Sequence, residues 1–308
     1  MPFFGLTREG SFHHLKHMPL TDFFRSTAPH GLAGRRPFIK MHGLRNHFVF
    51  LDLRDADKRL SSEDVVRICD VEVGIGAEQV ITIETPSPGA AAQGAYAKMR
   101  ILNTDGREAQ ACGNATRCLA LLLSDETGRD DILLETLGGL LACRRRDGSD
   151  VSVTLGPISM DWQKIPLSSA ADTAHLPLQS GPLRDGMALN IGNPHAVFFV
   201  DDFDSIDIPA VAPAIQKHPL FPEGVNVGVA QVVDDRTLRL AVWERPGMLT
   251  KACGTGACVA SFAGRQRGLL KGDDIRVELP GGPLQIRLID GNRAIMTGPV
   301  EICGFGYV

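Results

Sequence analysis

The chain is ordered by short apolar runs separated by polar segments bearing Gly, Asp and Asn. Residues 48–51 form an apolar run between polar neighbours, and Val80-Ile81-Thr82-Ile83 and Val151-Ser152-Val153-Thr154-Leu155 are rich in β-branched side chains. Residues 196–200 and 238–243 have the same character. Such side chains fit a pleated, half-buried surface, so all five runs predict strands. Helical patterns are fewer. Ser61-Ser62-Glu63-Asp64 places hydroxyls and acids where a helix N-terminus favours them, predicting a helix to about Cys69. Residues 113–123 and 254–264 are rich in Ala, Leu, Val and Cys, which predicts helices apolar on most faces and therefore buried. Strands and helices do not alternate regularly, so the expected class is α+β with mostly antiparallel sheet.

Two segments echo each other. Ala111-Cys112-Gly113-Asn114-Ala115-Thr116-Arg117-Cys118 resembles Ala252-Cys253-Gly254-Thr255-Gly256-Ala257-Cys258, and each follows a polar, Gly-containing loop and opens an apolar helix. A weaker echo pairs Asn46-His47-Phe48-Val49-Phe50-Leu51-Asp52 with Asn193-Pro194-His195-Ala196-Val197-Phe198-Phe199-Val200-Asp201, in the same order. The two Cys-Gly motifs lie about one domain length apart. Two related, facing domains are expected, with a boundary near Gly156-Pro157.

Composition excludes more than it selects. The 308 residues hold 32 Lys plus Arg against 36 Asp plus Glu, and a net charge of −4 gives no reason to expect a nucleic-acid or membrane partner. No apolar run approaches the roughly 20 residues of a membrane-spanning helix. Seven cysteines without a Cys-x-x-Cys pair argue against a disulfide framework or a structural zinc, so no metal is expected and free thiols in the cytoplasm are. Residues 1–36 carry Arg8, Lys16, Arg25, Arg35 and Arg36 against Glu9 and Asp22, with four of the nine His. They show no secretory pattern; a transit peptide is one alternative, and a disordered extension, or sequence upstream of a start at Met18 or near Met41, is the favoured reading.

The paired motifs carry the chemistry. A cysteine at the start of a buried helix meets unpaired backbone N–H groups and a partial positive charge, which favour thiolate over thiol and also bind anions. Glycine after the cysteine lets a ligand approach the backbone, and Asn114 and Thr255 add hydrogen bonds. Two such helix ends set opposite each other would place one sulfur on each face of an α-carbon. One thiolate takes the α-proton and the opposite thiol returns one, inverting the centre without pyridoxal phosphate or any other cofactor. Cys118 and Cys258, inside the helices, are expected to pack in the core, and Cys69, Cys143 and Cys303 to be structural.

These residues resemble the diaminopimelate epimerase family over nearly the whole body from about Phe38. Met41-His42-Gly43-Leu44-Arg45-Asn46-His47-Phe48 is similar to the family's opening motif, and Gly74-Ile75-Gly76-Ala77-Glu78-Gln79 to its second loop. Asn103-Thr104-Asp105-Gly106, Cys112-Gly113-Asn114, Gly192-Asn193-Pro194-His195, Pro222-Glu223-Gly224-Val225-Asn226, Trp243-Glu244-Arg245 and Cys253-Gly254-Thr255-Gly256 follow in family order. The resemblance implies interconversion of LL- and meso-2,6-diaminopimelate in the lysine and peptidoglycan-precursor route. It makes Cys112 and Cys253 the acid/base pair, with His195 and Glu244 assisting. Asn46, Gln79, Asn103, Gly113, Asn114, Asn193, Asn226, Glu244, Arg245, Gly254 and Thr255 match substrate-binding positions. A forked Arg and bifunctional Asn side chains suit a distal ammonium and carboxylate.

The resemblance also implies two pseudo-symmetric domains, each a curved, mostly antiparallel sheet around a central helix. Residues 37–157 plus 297–308 would form one domain and 158–296 the other, with the site in the cleft between them and a homodimer as the assembly. The sequence departs from the family at Arg45, where Gly is usual, at His47, where Asp is usual, and at Ala115. If position 45 needs positive φ, the loop is strained. Two further readings stay open: a two-cysteine racemase of another amino acid, proline racemase-like, and a non-enzymatic thiol redox switch.

Overall fold

The computed structural model describes residues 19–32, 34–56, 59–245 and 247–308. The first half contains β1 (Pro37–Gly43), β2 (Asn46–Asp52), β3 (Gln79–Glu84), β4 (Ala97–Asn103), β5 (Glu108–Ala109), β6 (Asp131–Thr136), β7 (Gly139–Arg145) and β8 (Asp150–Leu155). Its helices are α1 (Ser62–Cys69), α2 (Pro88–Ala92) and α3 (Gly113–Thr127). The second half contains β9 (Gln179–Ser180), β10 (Leu183–Arg184), β11 (Met187–Asn190), β12 (Pro194–Phe199), β13 (Asn226–Asp234), β14 (Thr237–Glu244), β15 (Met248–Leu249), β16 (Asp274–Leu279), β17 (Gly282–Ile289) and β18 (Arg293–Pro299). Its helices are α4 (Ile208–Gln216) and α5 (Gly254–Gln266), and β19 (Glu301–Tyr307) ends the chain.

The strand pairings repeat between the halves. From β1 through β8 the neighbours pair antiparallel (β1–β2), parallel (β2–β3), antiparallel (β3–β4, β4–β5), parallel (β4–β6) and antiparallel (β6–β7, β7–β8). The pairs β11–β12, β12–β13, β13–β14, β14–β15, β14–β16, β16–β17 and β17–β18 follow the same directions in the same order. The fold is α+β with two pseudo-symmetric units. Strand β18 also pairs with β8, which makes one continuous sheet of the two halves, and β19 returns to pair with β1. The expected return to the first half at residue 297 thus falls inside β18, and β19 begins the pairing with β1.

The uninterrupted apolar runs arise because both sheet faces are covered. In β2, Phe48 and Phe50 join the cluster around α3, whereas Val49 and Leu51 join the cluster under α1 with Val65 and Ile68. In the second half Val197 faces the α5 side, and Ala196 and Phe198 face α4. Period-two alternation therefore sorts successive apolar residues into two cores, which reads as a continuous run in sequence. Helix α3 is buried from Gly113 through Ser124 and stops at Gly128, whose φ of 67° and N–H to the Ser124 carbonyl at 2.8 Å form a left-handed cap. Helix α1 starts with a capping box between Ser61 and Asp64. Helices α3 and α5 share one apolar cluster that crosses from one half to the other.

The amino-terminal segment differs from expectation. Residues 1–18 lie outside the described residues, but Leu20–Arg25 forms a 3₁₀ helix with Thr21 buried. The Phe23 ring lies 4.8 Å from Phe305 and 5.3 Å from Tyr307, and the Ser26 hydroxyl is 2.8 Å from that of Tyr307. Arg36 and Val308 exchange backbone hydrogen bonds at 2.8 Å. The disordered extension expected through Arg36 is therefore folded from Leu20 onward, because Phe23 and Phe24 find an apolar partner surface at the far end of the chain.

The β1–β2 hairpin turns through two residues, and both have positive φ: Leu44 at 55° and Arg45 at 65°. This conformation matches the twist of the flanking strands. Leu44 is buried in the central cluster and rests against the β16–β17 turn, where a Cβ on Gly281 would meet the Leu44 carbonyl. Left-handed backbone costs a residue with a Cβ about 1–2 kcal/mol, while glycine adds about 0.4–1 kcal/mol of freedom to the unfolded chain. Arg45→Gly should thus stabilise the protein by about 0.5–1 kcal/mol. Urea unfolding should show a higher midpoint at unchanged slope; a midpoint equal to or below wild type would refute the strain.

Candidate active site

The two Cys-Gly motifs occupy equivalent places. Cys112 is the N-cap of α3 and Cys253 the N-cap of α5, both in extended backbone. The Gly256 N–H donates to Cys253 Sγ at 3.4 Å, so the sulfur stands where a Ser or Asp oxygen usually caps a helix. Both helix starts press on one side chain from β18. A Cβ on Gly113 would lie 2.7 Å from Met296 Cε, and one on Gly254 would lie 2.6 Å from Met296 Sδ. Glycine at both positions lets the Met296 side chain lie directly against the two helix starts. Asn114 Nδ2 bridges the halves, donating to the Ala252 carbonyl at 3.1 Å and to Asn46 Oδ1 at 3.2 Å.

The repeat sets polar groups at equivalent strand ends. In the first half Asn46 opens β2, Gln79 opens β3 and Asn103 closes β4, with Gln79 Nε2 donating to Asn103 Oδ1 at 2.8 Å. In the second half His195 lies at the start of β12, Asn226 opens β13 and Glu244 closes β14. His195 is fully buried, its Nε2 lying 3.1 Å from both Thr255 Oγ1 and Asn193 Oδ1. Its Nδ1 is buried with no partner, so the proton is assigned to Nε2, where it has an acceptor. The ring then donates to Thr255, whose hydroxyl lies 3.5 Å from Cys253 Sγ. Asn193 Nδ2 lies 3.4 Å from the same hydroxyl. Asn226 Oδ1 accepts the Arg245 N–H at 2.9 Å, and Arg245 Nη1 donates to the Glu223 carbonyl at 2.9 Å. Glu244 accepts from the Thr250 hydroxyl at 2.6 Å and lies close enough to Cys253 to act on it electrostatically.

Burial dominates the electrostatics. It pushes the Cys112 thiol up to about 11, against the pull of the Ala115 and Asn114 N–H groups, and the Glu244 carboxylate raises it further. Burial and Glu244 also push Cys253 well above the usual thiol range, opposed by Thr255 and the Gly256 N–H. One carboxylate thus acts on both sulfurs, although they come from different halves. Burial raises Glu244 itself, and burial with nearby Arg245 lowers His195 to about 3. Burial thus favours protonated thiols at Cys112 and Cys253, a neutral His195 and a higher proton affinity at Glu244. Among the described residues no group of three or more His, Cys, Asp or Glu is arranged to hold a metal ion.

The chain is matched by the family model described as diaminopimelate epimerase, over residues 38–160 and 187–303. The chain belongs to the diaminopimelate epimerase family. A diaminopimelate epimerase of Rhodospirillum centenum (strain ATCC 51521 / SW) is 44% identical over 265 residues, covering 86% of this chain and 89% of that protein. One of Brucella canis (strain ATCC 23365 / NCTC 10854 / RM-666) is 38% identical over 279 residues, covering 88% and 89%. Among solved structures, a phenazine biosynthesis PhzF-family protein of Enterococcus faecalis superposes with a TM-score of 0.65 at 14% identity, covering 89% of this chain and 99% of that one. A hydroxyproline epimerase of Agrobacterium vitis with bound trans-4-hydroxy-L-proline gives 0.60 at 17% identity, covering 88% and 90%. At these identities the structures share the fold with the diaminopimelate epimerase family.

The residues expected at the site fall into three sets of contacts, with Cys112, Gly113 and Gly254 at the helix starts beside them. Cys253, Glu244, His195, Asn193, Asn226, Arg245 and Thr255 form one connected network in the second half. Gln79 and Asn103 form a pair in the first half, while Asn46 is tied to Asn114 and through it to Ala252. Sequence reasoning missed Thr250 and Met296. Nothing local marks Thr250, a hydroxyl beside β15, and Met296 sits in an ordinary apolar strand. Cys118 and Cys258 are buried as expected for core residues. Cys303, expected to be structural without polar surroundings, is exposed with Sγ 3.7 Å from His47 Nδ1, because β19 returns beside β1 and brings it there.

The buried neutral His195 should make the fold acid-sensitive. Its folded value of about 3 lies below the ordinary 6.5, so the unfolded chain binds the proton first. The stabilisation is complete above 6.5 and is lost as pH falls through the interval down to about 3. By pH 4.5 the loss amounts to about 3 kcal/mol. His195→Gln should flatten this limb between pH 7 and 4.5 in urea titrations; an unchanged slope would contradict the assignment.

Proposed function

We propose that the protein interconverts LL- and meso-2,6-diaminopimelate by two-thiol acid/base catalysis, in lysine and peptidoglycan-precursor synthesis, without pyridoxal phosphate. The observation that carries this reading is the pair of cysteine-capped helix starts pressed against the single side chain of Met296. The substrate's α-carboxylate lies between the two helix ends, where N–H groups from both sides stabilise it as it takes up carbanion charge. Cys253 passes its proton to Glu244, whose raised affinity suits it to receive one, and the thiolate is held by Thr255 and the Gly256 N–H. That thiolate removes the α-proton while the Cys112 thiol donates to the opposite face. The cysteines exchange roles in the reverse direction.

His195 stays neutral and fixes the Thr255 hydroxyl through its Nε2–H. The distal ammonium and carboxylate are bound by Asn46, Gln79, Asn103, Asn193, Asn226 and the Arg245 fork. Closure of the halves excludes water, which would compete for the developing charge. A cytoplasmic location and a homodimer belong to the same reading and rest on the family resemblance.

Cys112→Ala and Cys253→Ala should each fold and lose at least about 10³-fold in turnover, since each removes one of two obligatory proton carriers. In deuterated water wild type should place deuterium at one α-carbon only. Label at both centres, or full turnover in either variant, would sink the two-thiol assignment.

A further inference from the structure

Arg117 is the charged group in the core for which the chemistry above has no use. Its side chain is fully buried, and among the described residues no carboxylate lies within ion-pair distance of it. Nη1 donates to the neutral sulfur of Met296 at 3.3 Å, while Nε and Nη2 have no partner. Glycines wrap it closely: a Cβ on Gly43 would lie 3.0 Å from Nη2, and one on Gly298 would lie 3.6 Å from Cζ. An uncompensated buried cation is strongly unfavourable. This one is also near the positive end of α3, five residues beyond Cys112, and touches the same methionine that lies under the starts of α3 and α5. Two helix N-termini and a guanidinium thus concentrate positive charge here, with Glu244 the carboxylate that acts on Cys112.

Resting on Cys112 as an acid/base residue, we propose that Arg117 is a positioning residue for that chemistry: a permanent positive charge behind the helix starts that favours negative charge on Cys112 and on the carboxylate bound between them. The groups acting on this pair come from every side. Glu244 on β14 opposes the Cys112 thiolate, and Arg117 supports it. Cys118 on α3, Cys258 on α5 and Asp150 at the start of β8 act on Arg117. Burial pushes both of those thiols up, so they stay neutral, and Asp150 makes no ion pair with Arg117. Cys112 and the incoming carboxylate are therefore the anions that can answer the guanidinium. A purely structural arginine would instead be tied to carboxylates or carbonyls, as Arg54 is to Asp52 and Glu126.

The test uses Arg117→Met and Arg117→Gln, which remove the charge, and Arg117→Lys, which keeps it. Iodoacetamide labelling of the substrate-free protein, read on the Cys112 peptide across pH 7–10, reports the thiolate without any substrate. The neutral variants should fold with thermal midpoints at or above wild type. Their Cys112 labelling should be about tenfold slower at each pH, a shift of about one unit, and kcat on LL-diaminopimelate should fall at least about tenfold with a smaller change in KM. Arg117→Lys should recover most of both. A folded neutral variant with the wild-type labelling curve would overturn the proposal, and failure of both neutral variants to fold would overturn it in favour of a structural role. Loss of turnover in Cys112→Ala beside an unshifted labelling curve in Arg117→Met would leave the two-thiol reading standing and remove Arg117 from it.

Discussion

The rest of the structure depends on two helix N-termini brought into contact through one methionine. Gly113 and Gly254 leave no Cβ between the helix starts and Met296. A Cβ at either position would force the Met296 side chain to move. The shared apolar cluster around both helices supports this contact, and the β8–β18 pairing joins the two sheets. Helix N-termini repel a cation and attract an anion, so the proposed site between the halves suits a carboxylate.

Taking thiols out of water raises their proton affinity, which by itself would make them poor bases. The site answers with groups that act only on the charged sulfur. N–H donors of each helix's first turn, the Thr255 hydroxyl and the buried Arg117 all favour thiolate, and Glu244 opposes it. Burial thus favours the protonated thiols, and these donors offset part of that effect. His195 contributes by staying neutral: a second buried cation beside Arg245 would be costly, and the neutral ring holds Thr255 in place.

The repeat explains why residues far apart in sequence share one task. Equivalent ends of β2, β3 and β4 carry Asn46, Gln79 and Asn103, and those of β12, β13 and β14 carry His195, Asn226 and Glu244. The two sets differ in chemistry. The first is made of neutral amides, while the second includes the groups able to hold or accept protons around Cys253. The duplicated frame therefore presents an asymmetric lining, as a substrate with two unlike roles for its two ends requires. The hairpin at Leu44-Arg45 rests against the β16–β17 turn of the second half, with Leu44 buried in the shared cluster.

Much was readable from the residues alone because it is local. Apolar and β-branched runs gave β2, β3, β8, β12 and β14, and Ser61 with Asp64 gave the start of α1, since pleat and cap act within a few residues. The echo of Cys112-Gly113 and Cys253-Gly254 revealed the duplication and the two thiols, because each motif needs only its own helix start. Tertiary structure alone decided the fate of Phe23, which packs against Phe305 and Tyr307, and that of Cys303, exposed beside His47. It also decided that Met296, from an ordinary strand, lies against Gly113 and Gly254 and accepts from the buried Arg117. Each of these depends on strands more than a hundred residues apart lying side by side, and no window of sequence records which distant surface a side chain will meet.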